Sequence, residues 1–419
     1  MSARLLVRGG SVFDPRTGNA GRADVVIEGQ RIVAVGAGLD GDQELDATGQ
    51  LVVPGFIDCH VHMTLDEINL LELIQAPFSL RFFRAVRNLG LTLNAGVTTA
   101  RDAAGADLGV KQAVSTGLVA GPDLRIAIGM LSQTGGHADE WMASGGCVHA
   151  LWPPHPGAPA TVVDGIDQIR RTVRELVRAG ADVIKVATTG GVISPRSDPL
   201  SAHFRDDELS ALIAEATAAG LSVMAHAQGT EGIKNAVRAG VRSIEHGVFL
   251  DEEAAAMMAE RGTWLVPTLS APHALLRQAA NGTALTEATR HKVSDVLAAH
   301  HASLRLARDA GVRIAMGTDA GIAPHGQNLK ELELMSEHGL SPAEALRAAT
   351  SSAAQLLGQA DEIGELAPGK LADLVLLEGT EVAVHELETR VRAVIHRGAI
   401  VRHDAPSPAS WPVPHPASA

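Results

Sequence analysis

The sequence predicts a (β/α)8, TIM-like barrel with a small β-sandwich domain formed by both chain ends. Three observations predict it. One phrase recurs through the middle of the chain: a helix-like stretch, a Gly, a short apolar strand, then a polar residue. Both ends carry short alternating strands instead. The 419 residues, 46% hydrophobic and 20% charged, suit one large α/β unit with a smaller appendage better than several equal domains.

Residues 1–54 read as short β segments, "RLLVRGGSVFD", "ADVVIEGQRIVAVGAG" and "QLVV", alternating apolar and polar with Gly and Asp as punctuation. The barrel is expected over 55–362. Its strands are read in "GFIDCHVH" (55–62), "AGVTTARD" (95–102), "DLRIAIG" (123–129), "AGADVIKVATT" (179–189), "AGLSVMAHAQG" (219–229), "AGVRSIEHG" (239–247), "RGTWLVPT" (261–268) and "AGVRIAMGTD" (310–319). The Gly fits a helix C-cap, and the β-branched run after it fits a buried parallel strand. Eight strand–helix alternations point to a closed barrel, with an open doubly wound sheet as the alternative. "SPAEALRAATSSAAQLLG" predicts a helix opened by a Ser341/Glu344 capping box. Residues 363–404 return to short strands, "ADLVLLEG" and "VRAVIHRGAIVRHD", and complete the small domain begun at the N-terminus. The tail, 405–419, is Pro/Ala-rich and expected to be an irregular strap.

Composition excludes several function classes. A net charge of −13 argues against a nucleic-acid binder. No run approaches the roughly 18 apolar residues of a membrane span, and "MSARLLVRGGSVFD" lacks the apolar core of a signal peptide. Cys59 and Cys147 make no disulfide framework, so a cytoplasmic location is the expectation.

Chemistry in such a barrel sits at the C-terminal strand ends. The polar residues there are His60, His62, Lys185, His226, His246 and Asp319. His60 and His62, two apart on a strand, share a face and can chelate one cation. Imidazole and carboxylate ligands suit zinc and other transition metals. Lys185 admits three readings. It could snorkel to solvent. It could form a Schiff base, which has no use for four histidines and an aspartate. Or it could be carbamylated by CO2, becoming an anion able to bridge two metals.

The chain resembles the amidohydrolase superfamily in "PGFIDCHVH" (54–62), "GVTTARD" (96–102), "VIKV" (183–186), "AHA" (225–227), "IEHG" (244–247), "GTDAG" (317–321) and "IGELAPGKLADLVLLEG" (363–379). "TGGHAD" (134–139), "TTGGVISPRSDP" (188–199) and "WLVPTL" (264–269) narrow the match to the branch of Xaa-Pro dipeptidases, carboxypeptidase-like enzymes and ochratoxin-hydrolysing amidohydrolases. The resemblance implies a binuclear centre of two divalent metals, usually zinc. His60, His62 and Asp319 would bind the buried metal and His226 and His246 the more exposed one. A CO2-derived carbamate on Lys185 and a hydroxide would bridge them, and Asp319 would shuttle the proton. Two residues after His226 the branch commonly has Tyr or His; here it is Gln228, which donates a hydrogen bond but is no acid. His137 is then the candidate for an oxyanion or substrate contact. The branch also implies a homo-oligomer, such as an octamer.

Residues 131–165 form a long loop after the third strand, placed to cover the active site, with Trp141 and Trp152 as candidate pocket walls. A second loop, 190–205, carries Arg196, His203 and Arg205, any of which could hold a substrate carboxylate. Cys59 reads as core packing. The expected activity is hydrolysis of a small-molecule amide beside a free carboxylate: a dipeptide, an N-acyl amino acid or an ochratoxin A-type amide. The alternative within the class is a cyclic amidohydrolase of the imidazolonepropionase-like type. A metal-free scaffold protein conflicts with the complete ligand set.

Overall fold

Both chain ends meet in one sheet, and the middle builds two more. The computed structural model describes residues 3–66, 70–139, 141, 145–146, 155–192, 194, 197–280 and 287–404. The N-terminal strands are β1 (Arg4–Asp14), β2 (Asn19–Glu28), β3 (Arg31–Gly36), β4 (Gln43–Asp46) and β5 (Gln50–Pro54). The middle contributes β6 (Phe56–Val61), β7 (Val97–Asp102), β8 (Asp123–Ile126), β9 (Met130–Leu131), β10 (Ile184–Ala187), β11 (Val223–Ala227), β12 (Ser243–His246), β13 (Trp264–Val266) and β14 (Arg313–Ile314). The C-terminal strands are β15 (Leu374–Glu378), β16 (Val391–His396) and β17 (Ala399–His403).

The end strands hydrogen-bond in the order β17-β16-β15-β5-β1-β2-β3, with β4 beside β1. The junction between the two ends is the antiparallel pair β5–β15, with Leu51 opposite Leu377 and Val53 opposite Val375. Those four side chains join the main core, whereas Val52, Leu374 and Leu376 on the other face join Val7, Val25, Ile27 and Ile32 in a small core of their own. Successive strand residues point to opposite faces, so a strand buried on both reads as the unbroken apolar runs "LVV" and "LVLL".

The middle strands pair in parallel, as β6-β7-β8 and β9-β10-β11-β12-β13-β14, with helices between them. Backbone bonds bring the two sheets together at both ends. Asp182 N–H donates to Ile126 O, while Cys59 N–H donates to Met316 O and Asp319 N–H to His60 O. The result is a TIM-barrel-like α/β arrangement. The third predicted strand, 123–129, ends early, at Ile126, and Ile128, with a left-handed φ of 69°, lies between it and β9. The helix predicted at "SPAEALRAATSSAAQLLG" does open with the Ser341/Glu344 capping box, but it too is two pieces, Pro342–Ala348 and Ser351–Leu356. The break falls at Thr350, whose ψ of −99° lies outside the helical range. Cys59 packs with Ile57, Trp264 and Val266, as core. Among the described residues no helix is long and apolar enough to cross a membrane. Cys147, Trp152, Arg196 and the tail lie outside the described residues.

Candidate functional site

The site begins with charges inside apolar strands. Arg101 on β7 and Glu245 on β12 are 3% and 0% exposed, and buried charges need partners. Arg101 Nη2 donates to Glu245 Oε1 at 2.9 Å and Arg101 Nε to Cys59 O at 2.6 Å. Ser243 Oγ donates to the same Glu245 oxygen at 2.5 Å. The other oxygen, Oε2, accepts from His60 Nδ1 at 2.8 Å. Strands β6 and β7 are not hydrogen-bonded neighbours of β12, so these side chains meet across the interior. Asp58, on the same strand face as His60, accepts from His60 N, Thr318 N, Thr318 Oγ1 and Asn328 Nδ2. It ties β6 to the turn that carries Asp319, and burial pushes its carboxyl up to about 6.

The other histidines are held in the same way. His62 Nδ1 donates to Ala104 O at 2.9 Å, and His226 Nε2 to Gly190 O at 3.0 Å. His246 Nδ1 donates to Thr268 Oγ1 at 2.6 Å, since that hydroxyl spends its own proton on Pro267 O. Each of the four imidazoles thus has one nitrogen fixed as an N–H donor to a protein oxygen. The tautomer follows: His60 Nε2, His62 Nε2, His226 Nδ1 and His246 Nε2 carry free lone pairs. Burial holds His60, His226 and His246 well below the ordinary imidazole range, so they stay neutral.

These rings converge. Ring centroids are 5.1 Å apart for His60 and His246 and 4.7 Å for His226 and His246. Asp319 Oδ1 lies 3.2 Å from His62 Nε2 and 3.6 Å from His60 Nε2. Donor atoms of His60, His62 and Asp319 all lie within 4.8 Å of one another. Burial opposes ionisation of Asp319, yet its polar neighbours His62, His60 and Lys185 hold it down at about 2. For His62 the balance runs the other way: burial lowers it, but Asp319 raises it overall. His246 and Asp319 both have left-handed backbones, φ 71° and 56°, a conformation that costs about 1–3 kcal/mol and clusters at functional sites. The kink at His246 breaks strand alternation, so that Glu245 and His246, adjacent in sequence, both serve one site.

Lys185 is 1% exposed, and among the described residues its Nζ has no hydrogen-bond partner. Burial lowers its amine to about 8 against the attraction of Glu245 and Asp319. The donor set passes a chemical test for a metal: neutral imidazoles with oriented lone pairs and one ionised carboxylate fit a transition-metal ion. An ammonium among them does not fit; a neutral or acylated amine does.

His137 stacks on His226 with ring centroids 4.2 Å apart, and Ser194 Oγ lies 2.7 Å from its Nδ1. Burial lowers it to about 4. Gly191 makes room, since a Cβ there would meet His137 Cε1 at 2.1 Å. Gln228 is buried, with its Oε1 unpaired. His203 is 4% exposed and its Nδ1 is likewise unpaired. Arg205 is exposed at the start of the helix Asp206–Ala218, and no contact among the described residues joins it to the histidines. Trp141 is 47% exposed. The supports Glu245, Arg101 and Asp58 escape the sequence reading, although their signal is present: "IEHG", "TTARD" and "FIDCH" place charges in otherwise apolar strands.

The amidohydrolase family model matches residues 51–401. Ochratoxinase from Aspergillus niger is 35% identical over 359 residues, 83% of this chain and 74% of that protein. A prolidase solved with N-methylphosphonate-L-proline is 37% identical, with a TM-score of 0.87 over 96% of this chain and 100% of that one. A Xaa-Pro dipeptidase solved with methionine in its active site is 32% identical, with a TM-score of 0.86 over 95% of this chain and 100% of that one.

Proposed function

The chain belongs to the amidohydrolase family and is a hydrolase acting on carbon–nitrogen bonds, and from that premise we propose that it cleaves an amide beside a free carboxylate. The observation that carries the chemistry is the set of four imidazoles, each with one nitrogen tied to protein and the other free beside Asp319 and Lys185. His60, His62 and Asp319 would hold one divalent metal and His226 and His246 a second, zinc in both cases, with Lys185 bridging as a carbamate. Bound there, such a pair would make a water easier to deprotonate and would polarise the scissile carbonyl.

The chain's own residues do the rest. Asp319, ionised at neutral pH, takes the proton from the attacking water and passes it to the leaving nitrogen. His137 lies against His226; Ser194 Oγ spends its proton on His137 O, so His137 Nδ1 donates to Ser194 Oγ and its Nε2 is left to accept from the substrate. Gln228 Oε1, buried and unpaired, accepts a substrate N–H, and His203 contacts the carboxylate. The substrate class is supported by the relatives. The prolidase was solved with a proline phosphonate and the dipeptidase with a free amino acid, and both ligands carry a carboxylate. Ochratoxin-type amides enter through the ochratoxinase.

We read the middle sheets as one closed (β/α)8 barrel over 55–362. The end strands, 1–54 and 363–404, are then a separate sandwich domain. Exposed Phe83 and Val86, one turn apart on the helix Leu80–Asn94, support a homo-oligomer. The test is a screen of Xaa-Pro and other dipeptides, N-acyl amino acids and ochratoxin A against zinc-loaded protein. Turnover of at least one of these classes is expected; none turned over, with cyclic amides cleaved instead, would overturn the proposal.

A further inference from the structure

Behind the active site, three helices bring together three other histidines. His273 lies in Ser270–Ala280, His301 in Glu287–Asp309, and His338 caps the C-terminal end of Lys330–Glu337. One ring nitrogen from each lies within 4.8 Å of the other two. His273 Nε2 and His301 Nε2 are 3.1 Å apart. Two nitrogens on one tetrahedral zinc stand about 3.3 Å apart, given zinc–nitrogen bonds of about 2.0–2.1 Å. All three residues are partly exposed, so an ion can reach them.

The surroundings supply ligands in the right protonation state. Burial, together with His338 and His273, lowers His301 to about 4, and burial also lowers His273 and His338. Arg277, Arg305 and Lys330 reinforce neutrality, and the negative charge of Glu337 acts on His273 and His338 in the opposite sense. The rings of His301 and His338 lie nearly parallel, with centroids 3.4 Å apart. In that stack the two in-plane lone pairs run side by side, so binding one ion requires His338 to turn about its side-chain torsions.

The cluster shares no residue with the four-histidine centre. It does sit on the helix that supports it: His300, next to His301, donates from Nε2 to His246 O at 2.9 Å, and Ser303 Oγ donates to Val248 O at 2.6 Å. The helix Ser270–Ala280 begins two residues after Thr268, the partner of His246. We infer that His273, His301 and His338 form a separate site for a divalent transition metal such as zinc, which clamps three helices behind the active centre.

The test uses chelator-stripped whole protein reloaded with zinc and dialysed, beside His301→Asn and His338→Asn prepared identically. Wild type should retain one more zinc per chain than either variant, whatever number the active centre holds. Zinc should also raise the melting temperature of a variant with an emptied active centre, His60→Asn/His62→Asn/His226→Asn/His246→Asn, but not when His338→Asn is added. Equal zinc content in wild type and both variants, or an equal rise in melting temperature with and without His338, would show that the three rings are only a stacked cluster. The melting measurement does not read catalysis, so its failure leaves the proposed activity untouched.

Discussion

Glu245→Gln is the most telling change to the active centre, because it alters one atom and replaces no proposed ligand. Three donors point at the two Glu245 oxygens: Arg101 Nη2 and Ser243 Oγ at Oε1, and His60 Nδ1 at Oε2. A carboxylate accepts all three. An amide has one oxygen, so its NH2 must face either Arg101 and Ser243 or His60, donor against donor. If it faces Arg101, a buried guanidinium loses its counter-ion; breaking such pairs costs about 3–5 kcal/mol. If it faces His60, the ring loses the bond that fixes its tautomer, and losses of this kind cost about 10–100-fold in metal affinity. Urea unfolding of the stripped protein measures the first cost, and zinc competition against a chromophoric chelator the second. At least one should change by these amounts. A variant with wild-type stability and wild-type zinc affinity would refute the reasoning that Glu245 orients His60.

Other consequences are equally checkable. Lys185→Met removes a buried amine that has no partner, so the stripped protein should be at least as stable as wild type while activity falls by about 100-fold or more; full activity would make the lysine only structural. Gly191→Ala places a methyl 2.1 Å from His137 Cε1 and should cost up to about 100-fold in kcat/KM with zinc content intact; unchanged kinetics would remove His137 from the site. Glu331 accepts from Leu269 N and Ser270 N, yet burial raises its carboxyl from 4.5 to about 8. Between those values the folded chain keeps a proton that the unfolded chain has lost. Stability should therefore fall as pH rises through that window, by at most about 1.4 kcal/mol per unit, and Glu331→Gln should flatten that slope.

What the sequence makes legible is whatever local pattern dictates. The Gly-then-apolar phrase marks the parallel strands, and the polar residue closing each phrase marks His60, His62, Lys185, His226, His246 and Asp319, which the structure gathers into one place. Long-range pairing is not legible in that way. That Glu245 serves His60, that Asp58 serves the Asp319 turn and that Thr268 serves His246 depends on which strands face each other across the interior, and no spacing encodes it. Backbone sign is equally hidden: a positive φ at Ile128 falls where the predicted strand 123–129 has already ended, and the one at His246 lets neighbouring residues share a site. Arg205 illustrates the converse. Its residue type suits a carboxylate, but at the start of the helix Asp206–Ala218 it is exposed to solvent.

The account stands most directly on one titration: zinc added stepwise to chelator-stripped protein while hydrolysis of a Xaa-Pro dipeptide, an N-acyl amino acid or ochratoxin A is followed. It predicts no turnover without metal, a rise that saturates at no fewer than two equivalents per chain, and no rise in His246→Asn. Turnover by the stripped protein, undiminished by further chelator, would contradict it.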